Sequence, residues 1–418
     1  MDEKTIFVYA DWEGESLSLI GRLYCGNSRG KELFSFEYDK TWLMSAEAGL
    51  YLDPDLILFK GRQYAPLNKS IFGIFSDSCP DRWGRLLMKR REAVLARKEQ
   101  RKPKILTESD YLLGVYDAAR MGALRFSLEC GGPFLACDEA LSTPPWTTLR
   151  KLEAASYAFE QDESGLEERW LNQLLAPGSS LGGARPKATV LAPDGSLWIA
   201  KFPSKHDEYN AGAWEMVVHD LAIKCGLSVP EARLETFSKN GSTFLVKRFD
   251  RKESRRIHFA SAMTLLGKQD GASASDGTSY LDLASFLRTN GAAPKEDLTE
   301  LWKRVVFNMA VSNTDDHLRN HGFLLTSKGW QLSPLYDVNP CIYGDTLALN
   351  VSQSDNSIDF SLALETAHYY GIDEHDGREL IEKISTVVND NWKTLAANYG
   401  LGRSAIAYME PAFDMAYK

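Results

Sequence analysis

The run Asn313-Thr314-Asp315-Asp316-His317-Leu318-Arg319-Asn320 places an aspartate five positions ahead of an asparagine. That pairing suits phosphoryl transfer. A carboxylate orients an attacking hydroxyl and accepts its proton, while an amide oxygen helps to hold magnesium against the phosphates. Packing alone gives little reason for an Asp-Asp-His cluster straight after an apolar helical run. Seventeen residues beyond Asn320 comes Asp337, in the segment LSPLYDVNP, after an apparent hairpin HGFLLTSKGWQLSP. It stands where a second metal-holding group, a carboxylate, follows the catalytic loop in protein kinases, although YDVNP by itself would pass for a turn.

Upstream lies Ser179-Ser180-Leu181-Gly182-Gly183-Ala184-Arg185-Pro186-Lys187. Glycines on a strand–strand loop let backbone N–H groups approach phosphate oxygens, and Arg185 or Lys187 adds positive charge. A Gly-Gly pair alone is usually just a turn. Lys201, fourteen residues after Lys187 in LWIAKFP, falls on the next predicted strand, where a lysine can pair with α- and β-phosphates. A strand lysine more often points to water. Glu215, on the following predicted helix, is an available ion-pair partner. Gly loop, strand lysine, helix glutamate, Asp-x4-Asn, hairpin and metal aspartate follow one another in the order used by protein kinases.

The elements that must position these groups are readable as well. From Thr5 to about Leu58 short alternating apolar runs broken by Gly, Asn and Asp predict strands and turns. Between Ser76 and Glu99 the pattern becomes helical, with Asp81 as a cap and Trp83, Leu86, Leu87, Val94 and Leu95 at helical spacing. GALRFSL predicts a further strand, and the Gly-Pro-rich stretch near Gly131–Pro145 a boundary. Trp146–Leu175 and Asn210–Cys225 predict helices, and Asn240-Gly241 a hairpin turn. Beyond residue 258 helical periodicity dominates. The expected architecture is α+β, two-lobed and protein-kinase-like: residues 1–140 a small α/β subdomain, 141–258 a strand-rich ATP-binding region, 259–418 a helical catalytic lobe.

Composition excludes several classes. The 418 residues carry a formal charge of −9 and are 44% hydrophobic, so bulk charge gives no support for autonomous nucleic-acid binding. Pro80–Lys104 runs the other way, dense in Lys and Arg, and reads either as a solvated helix face or as a surface for an acidic partner or DNA within a larger assembly. The acidic, alternating N-terminus lacks a signal-peptide layout, and no run is long enough to span a membrane. Six scattered cysteines without a Cys-x-x-Cys pair argue for mostly buried thiols in a reducing cytoplasm.

The stretch from about Ser179 to Tyr343 resembles the HipA-like serine/threonine kinases, the toxin components of bacterial toxin–antitoxin pairs. The segments that carry the resemblance are SSLGGARPKATV, WIAKFP, CGLSVP, FLVKRFDR, SYLDLA, NTDDHLRN and SPLYDV. IFGIFSDSCPDRWGRLLMKRR and GVYDAARMGALRF resemble the family's N-terminal segment more loosely. The resemblance implies ATP and Mg2+ as cofactors, with Gly182 to Lys187 as phosphate loop and Lys201 as phosphate-binding lysine. Lys247, Arg248 and Phe249 would lie at the adenine hinge. Asp315 would be catalytic, His317, Arg319, Asn320 and Tyr336 would line the nucleotide, and Asn320 and Asp337 would hold the metal. Ser180, or its neighbour Ser179, matches a loop serine that the family autophosphorylates. Implied partners are a protein substrate such as an aminoacyl-tRNA synthetase and a helix-turn-helix antitoxin, with operator DNA bound only in that complex.

Two departures bear on this. Asp316 sits where the family often has a small residue, so either aspartate could be the base; the four-residue gap to Asn320 favours Asp315. The usual Asp-Phe-Gly triplet is here Asp-Val-Asn. Two rival readings remain: a catalytically degraded kinase acting as a binding or co-repressor protein, and a metallohydrolase using His317 and His321, four apart. The second leaves the Gly loop and Lys201 without a role.

Overall fold

Residues of Lys4–Ala10 alternate so that Ile6, Val8 and Ala10 share one buried face, the period of a strand. The computed structural model describes residues 3–417 except 13–16, 29, 46–48, 138–142, 162–173, 175–182, 184 and 254. The chain forms a mixed α/β structure in two compact units. One comprises Met1–Lys205 with Lys247–Ala260, the other His206–Val246 with Ser261–Lys418.

In the first unit β1 (Lys4–Ala10), β2 (Ser18–Ser28), β3 (Lys31–Tyr38), β4 (Gln63–Tyr64) and β5 (Leu124–Ser127) make an antiparallel sheet, ordered β4-β3-β2-β1-β5. Ile6 opposes Leu23, and the register slips at Val8/Tyr9. Beside this bulge Gly21 cannot be replaced cheaply, since a Cβ there would lie 2.2 Å from the Glu37 carbonyl oxygen. Helix α1 (Arg82–Lys98) starts where the sequence places it: Asp81 accepts the Gly84 N–H at 2.8 Å, and Trp83 and Leu87 turn inward. Helix α2 (Leu149–Glu160) follows, its Phe159 ring edge-on to Trp83. A hairpin of β6 (Lys187–Leu191) and β7 (Leu197–Lys201) then pairs Lys187 with Lys201 and Leu191 with Leu197.

In the second unit helix α3 (Ala211–Lys224) is capped by Asn210 and buried along most of its length. The β8 (Ala232–Ser238) and β9 (Gly241–Lys247) strands form the hairpin expected around Asn240-Gly241. Helix α4 (Tyr280–Asn290) opens on a Ser279/Asp282 capping box. Helix α5 (Pro294–Ala310) begins with proline and has Glu296 and Asp297 in its first turn, where the helix dipole favours negative charge. Its Trp302 donates Nε1–H to the Ala363 carbonyl at 2.9 Å. The β10 (Gly322–Thr326) and β11 (Gly329–Leu332) hairpin follows, and the long α6 (Glu374–Asn398) packs on α3 and α5, with Trp392 stacked on Phe413 at 4.3 Å.

One buried cluster fixes residues 247–251 within the first unit. The Asp250 carboxylate accepts Arg248 Nη2 at 2.6 Å, Arg251 Nη1 at 2.7 Å and the Gly122 N–H at 2.8 Å. Arg248 also gives Nε–H to Asp250 Oδ1 at 2.9 Å, and its Nη groups reach the carbonyls of Ala119 and Arg120. Burial opposes ionisation of Asp250, yet the two guanidinium groups hold its carboxyl down at about 2. Its contribution to stability is therefore complete above the ordinary aspartate range and is lost as pH falls toward 2. Asp250→Ala leaves two arginines unpaired and should cost about 3–5 kcal/mol. Urea titration should show a lower midpoint at unchanged slope; an unmoved midpoint would show that the cluster is not what anchors the segment.

Candidate active site

Helix α5 ends at Ala310, and the chain turns through Ser312, which has a positive φ of 47°, into a loop rather than a further helix. The loop is closed by its own backbone: His317 N–H donates to the Asp315 carbonyl at 2.9 Å and Asn320 N–H to the His317 carbonyl at 2.8 Å. The two adjacent aspartates have opposite environments. Asp315 reaches solvent, whereas Asp316 is buried.

Asp316 Oδ2 accepts three donors: the Tyr280 hydroxyl at 2.7 Å, Asn308 Nδ2 at 2.7 Å and His321 Nε2 at 2.8 Å. Burial works against its charge, but His321 and these hydrogen bonds hold its carboxyl below the usual range. Burial and the Asp316 charge push the Tyr280 hydroxyl well up, so it stays a donor. Asp315 is shifted the other way. Partial desolvation raises it, His317 pulls it down, and the carboxylates of Asp337 and Asp316 raise it again, for a net rise. Of the two aspartates the sequence leaves in contention, only Asp315 is free to receive a proton from outside.

Asn320 is buried and donates Nδ2–H to the Asp315 carbonyl at 3.0 Å, while its Oδ1 has no hydrogen-bond partner. Asp337 sits at φ 59°, a left-handed conformation that costs a non-glycine residue energy and tends to mark functional turns. An open amide oxygen and a carboxylate from such a turn are hard oxygen donors, and Mg2+ commonly takes one or two protein ligands with phosphates and water supplying the rest. The residues present therefore fit Mg2+. They do not form a protein cage: no group of three or more His, Cys, Asp or Glu that could hold a metal occurs among the described residues. The zinc reading loses its geometry as well. His317 and His321 are not on a helix, and His321 is buried against Asp316. Tyr336 donates its hydroxyl to the Arg319 carbonyl at 2.7 Å, and Arg319 pairs with Asp270 at 2.8 Å.

In the first unit Lys187 and Lys201 are cross-strand partners and both are buried. Lys187 Nζ pairs with the α1 cap Asp81 at 3.1 Å, and Trp83 Nε1 donates to the Lys187 carbonyl at 3.0 Å. The same ammonium lies under Gly183, where φ is 82° and a Cβ would sit 3.4 Å from Nζ. Arg185 is half-buried and Pro186 buried. Ser179, Ser180, Gly182 and Ala184 lie outside the described residues. At the expected adenine hinge, the Arg248 side chain is committed to Asp250, Lys247 is half-buried, and Phe249 lies 6.2 Å from the Phe259 ring. Glu215 is buried on α3 and belongs to the other unit from Lys201. Sequence reasoning missed Tyr280, Asn308 and Asn313, and it gave Asp81 only the role of a helix cap. A signal existed for Asn308, a lone amide inside the apolar run VVFNMAV.

Comparison with known proteins gives the fold and then the family. The chain matches, over 98% of its length and 95% of the other's, a chain of the Shewanella oneidensis MR-1 complex of HipA, HipB and operator DNA, with a TM-score of 0.66 and 17% identity; the two share a fold. Residues 179–392, more than half of the chain, match the family described as HipA-like C-terminal domain, and the chain belongs to that family. Y4mE of Sinorhizobium fredii is 31% identical over 182 residues, 38% of this chain and 41% of that protein. The serine/threonine-protein kinase CtkA of Helicobacter pylori is 29% identical over 181 residues, 40% of this chain and 54% of that one. The chain spans about half the length of the curated relatives it matches.

The Asp81–Lys187 pair, whose side chains are only 7% and 5% exposed, links the helix cap to the strand that follows the Gly loop. A double-mutant cycle with Asp81→Asn and Lys187→Met should return a coupling of about 1–3 kcal/mol. Additive effects in denaturation would mean that the helix does not hold the lysine.

Proposed function

We propose that this chain is an ATP- and Mg2+-dependent serine/threonine protein kinase of the HipA toxin type. The observation that carries this reading is the division between adjacent aspartates. Asp316 is buried and takes three donors on Oδ2, its Oδ1 having no partner, while Asp315 reaches solvent beside the Asp337 charge and the open Oδ1 of Asn320.

In this reading a substrate hydroxyl oxygen attacks the γ-phosphorus, the bond to the β-bridging oxygen breaks, and ADP leaves with that electron pair. The hydroxyl proton passes to Asp315, whose raised affinity for protons suits a base. Asn320 Oδ1 and Asp337 would hold Mg2+, which would supply positive charge against the phosphates. Lys201 and Lys187, with the Gly182–Lys187 loop, bind phosphates. Residues 247–249 offer backbone groups to adenine, and His317, Arg319 and Tyr336 line the nucleotide. Ser180, or Ser179, is the autophosphorylated residue; two added negative charges there would repel the phosphates the loop receives.

The substrate class is a translation component such as an aminoacyl-tRNA synthetase, and the partner a helix-turn-helix antitoxin with which the chain reaches operator DNA. The fold shared with a HipA found with HipB and operator DNA supports the partner class. The basic run at α1 is partly neutralised by its own surroundings, through Arg85–Glu108, Arg101–Glu92 and Lys104–Asp110, so DNA contact falls mainly to the partner. A bacterial cytoplasmic setting goes with this reading. No helix among the described residues is long and apolar enough to cross a membrane.

Asp315→Asn should lower phosphate transfer from Mg-ATP by about 10²–10⁴-fold, with nucleotide affinity nearly unchanged, as followed by phosphosite mapping against bacterial lysate proteins. Nucleotide binding without any transfer by the wild type would favour the co-repressor reading, and neither binding nor transfer would sink both. Ser180→Ala, with Ser179 intact, should keep its activity during preincubation with ATP. Continued inactivation, with phosphate gained elsewhere, would rule out Ser180 as the regulatory site.

A further inference from the structure

A buried carboxylate is costly unless donors meet it, and replacing such groups by apolar residues is often stabilising. Stability is thus a poor reason for a fully buried aspartate directly after the catalytic one. The three donors on Asp316 come from separate elements: Tyr280 opens α4, Asn308 lies within α5, and His321 immediately precedes β10. Consecutive Cα atoms are about 3.8 Å apart, so fixing Asp316 from three sides also fixes the backbone of Asp315.

The network continues. Asn308 gives Nδ2–H to Asp316, which turns its Oδ1 to accept Asn313 Nδ2 at 3.1 Å. Asn313 Oδ1 in turn accepts the Asn339 N–H at 3.4 Å, two residues beyond Asp337. Every amide is oriented by its neighbour. Flipping either one would put donor against donor or acceptor against acceptor, so the direction of the chain is set by the negative end at Asp316. The His321 nitrogen facing Asp316 must carry a proton for the same reason.

Resting on the kinase reading, we infer that Asp316 is a positioning residue. Through Asn308 and Asn313 it forms one buried relay that sets the backbone of Asp315 and the backbone beside Asp337 together. The relay spans residues 280 to 339 and lies wholly within the second unit. Asp316→Asn keeps the shape and one acceptor oxygen. Asp316→Ala removes the hub, and Asn313→Ala cuts the relay between the two carboxylate segments without touching Asp316.

The test is steady-state transfer from Mg-ATP, combined with amide hydrogen exchange at Asn339 on the full chain. Both alanine variants should lower kcat by about 10–100-fold, the scale of an ångström-sized misplacement, with KM for ATP within about threefold. Asp316→Asn should recover most of that loss. Exchange at Asn339 should accelerate at least tenfold in both alanine variants and much less in Asp316→Asn. Alanine variants with wild-type kcat and wild-type exchange would overturn the relay, as would an Asp316→Asn no better than Asp316→Ala. If the wild type transfers no phosphate, the kinase reading fails by itself, and exchange at Asn339 alone decides whether the relay exists.

Discussion

A carboxylate removed from water must be met by donors in the right places, and much of the second unit is arranged around that requirement at Asp316. One oxygen receives a phenol, an amide and an imidazole from three elements that are far apart in the chain. Those elements cannot shift independently without stranding a buried polar group, which is more costly than the bond itself is favourable. The adjoining Asp315 is thereby presented to solvent on a loop with little freedom. Its own shift follows from the same crowding of negative charge, since two further carboxylates bear on it.

The first unit solves a similar problem with the signs mixed. Asp250 gathers Arg248 and Arg251, and Asp81 gathers Lys187, so segments expected to meet adenine and phosphate are tied down by ion pairs out of water. A lysine already paired with a carboxylate is a different tool from a free one. It is held in place and partly neutralised, and a phosphate arriving there must compete with Asp81 for it.

Much of this was legible from local pattern. The Asp81 cap, the hairpins around Asn240-Gly241 and Ser327–Gly329, and the helix Ala211–Lys224 follow from spacing and turn chemistry alone. The Asp315–Asn320 loop was placed because its chemistry depends on a short spacing. Contacts made across long stretches of chain were not legible. Asp316 and Tyr280 are 36 residues apart, and Trp83 and Lys187 are 104 apart, so no periodicity reports them. Arg248 lies between these cases. Its partner is only two residues away, just past the end of β9, yet sequence alone does not say whether the pair faces solvent or core.

The ties from Asp81 and Trp83 to Lys187 also bear on where this protein divides. The family match begins at residue 179, yet the strand that opens it is held from behind by a helix a hundred residues earlier. A boundary drawn by sequence similarity therefore cuts through a packed unit. A fragment starting at the family border would lack the Trp83 indole and the Asp81 carboxylate that meet Lys187. Ancestry and mechanics partition this chain differently, and for excision, fusion or crystallisation of a fragment the mechanical partition governs.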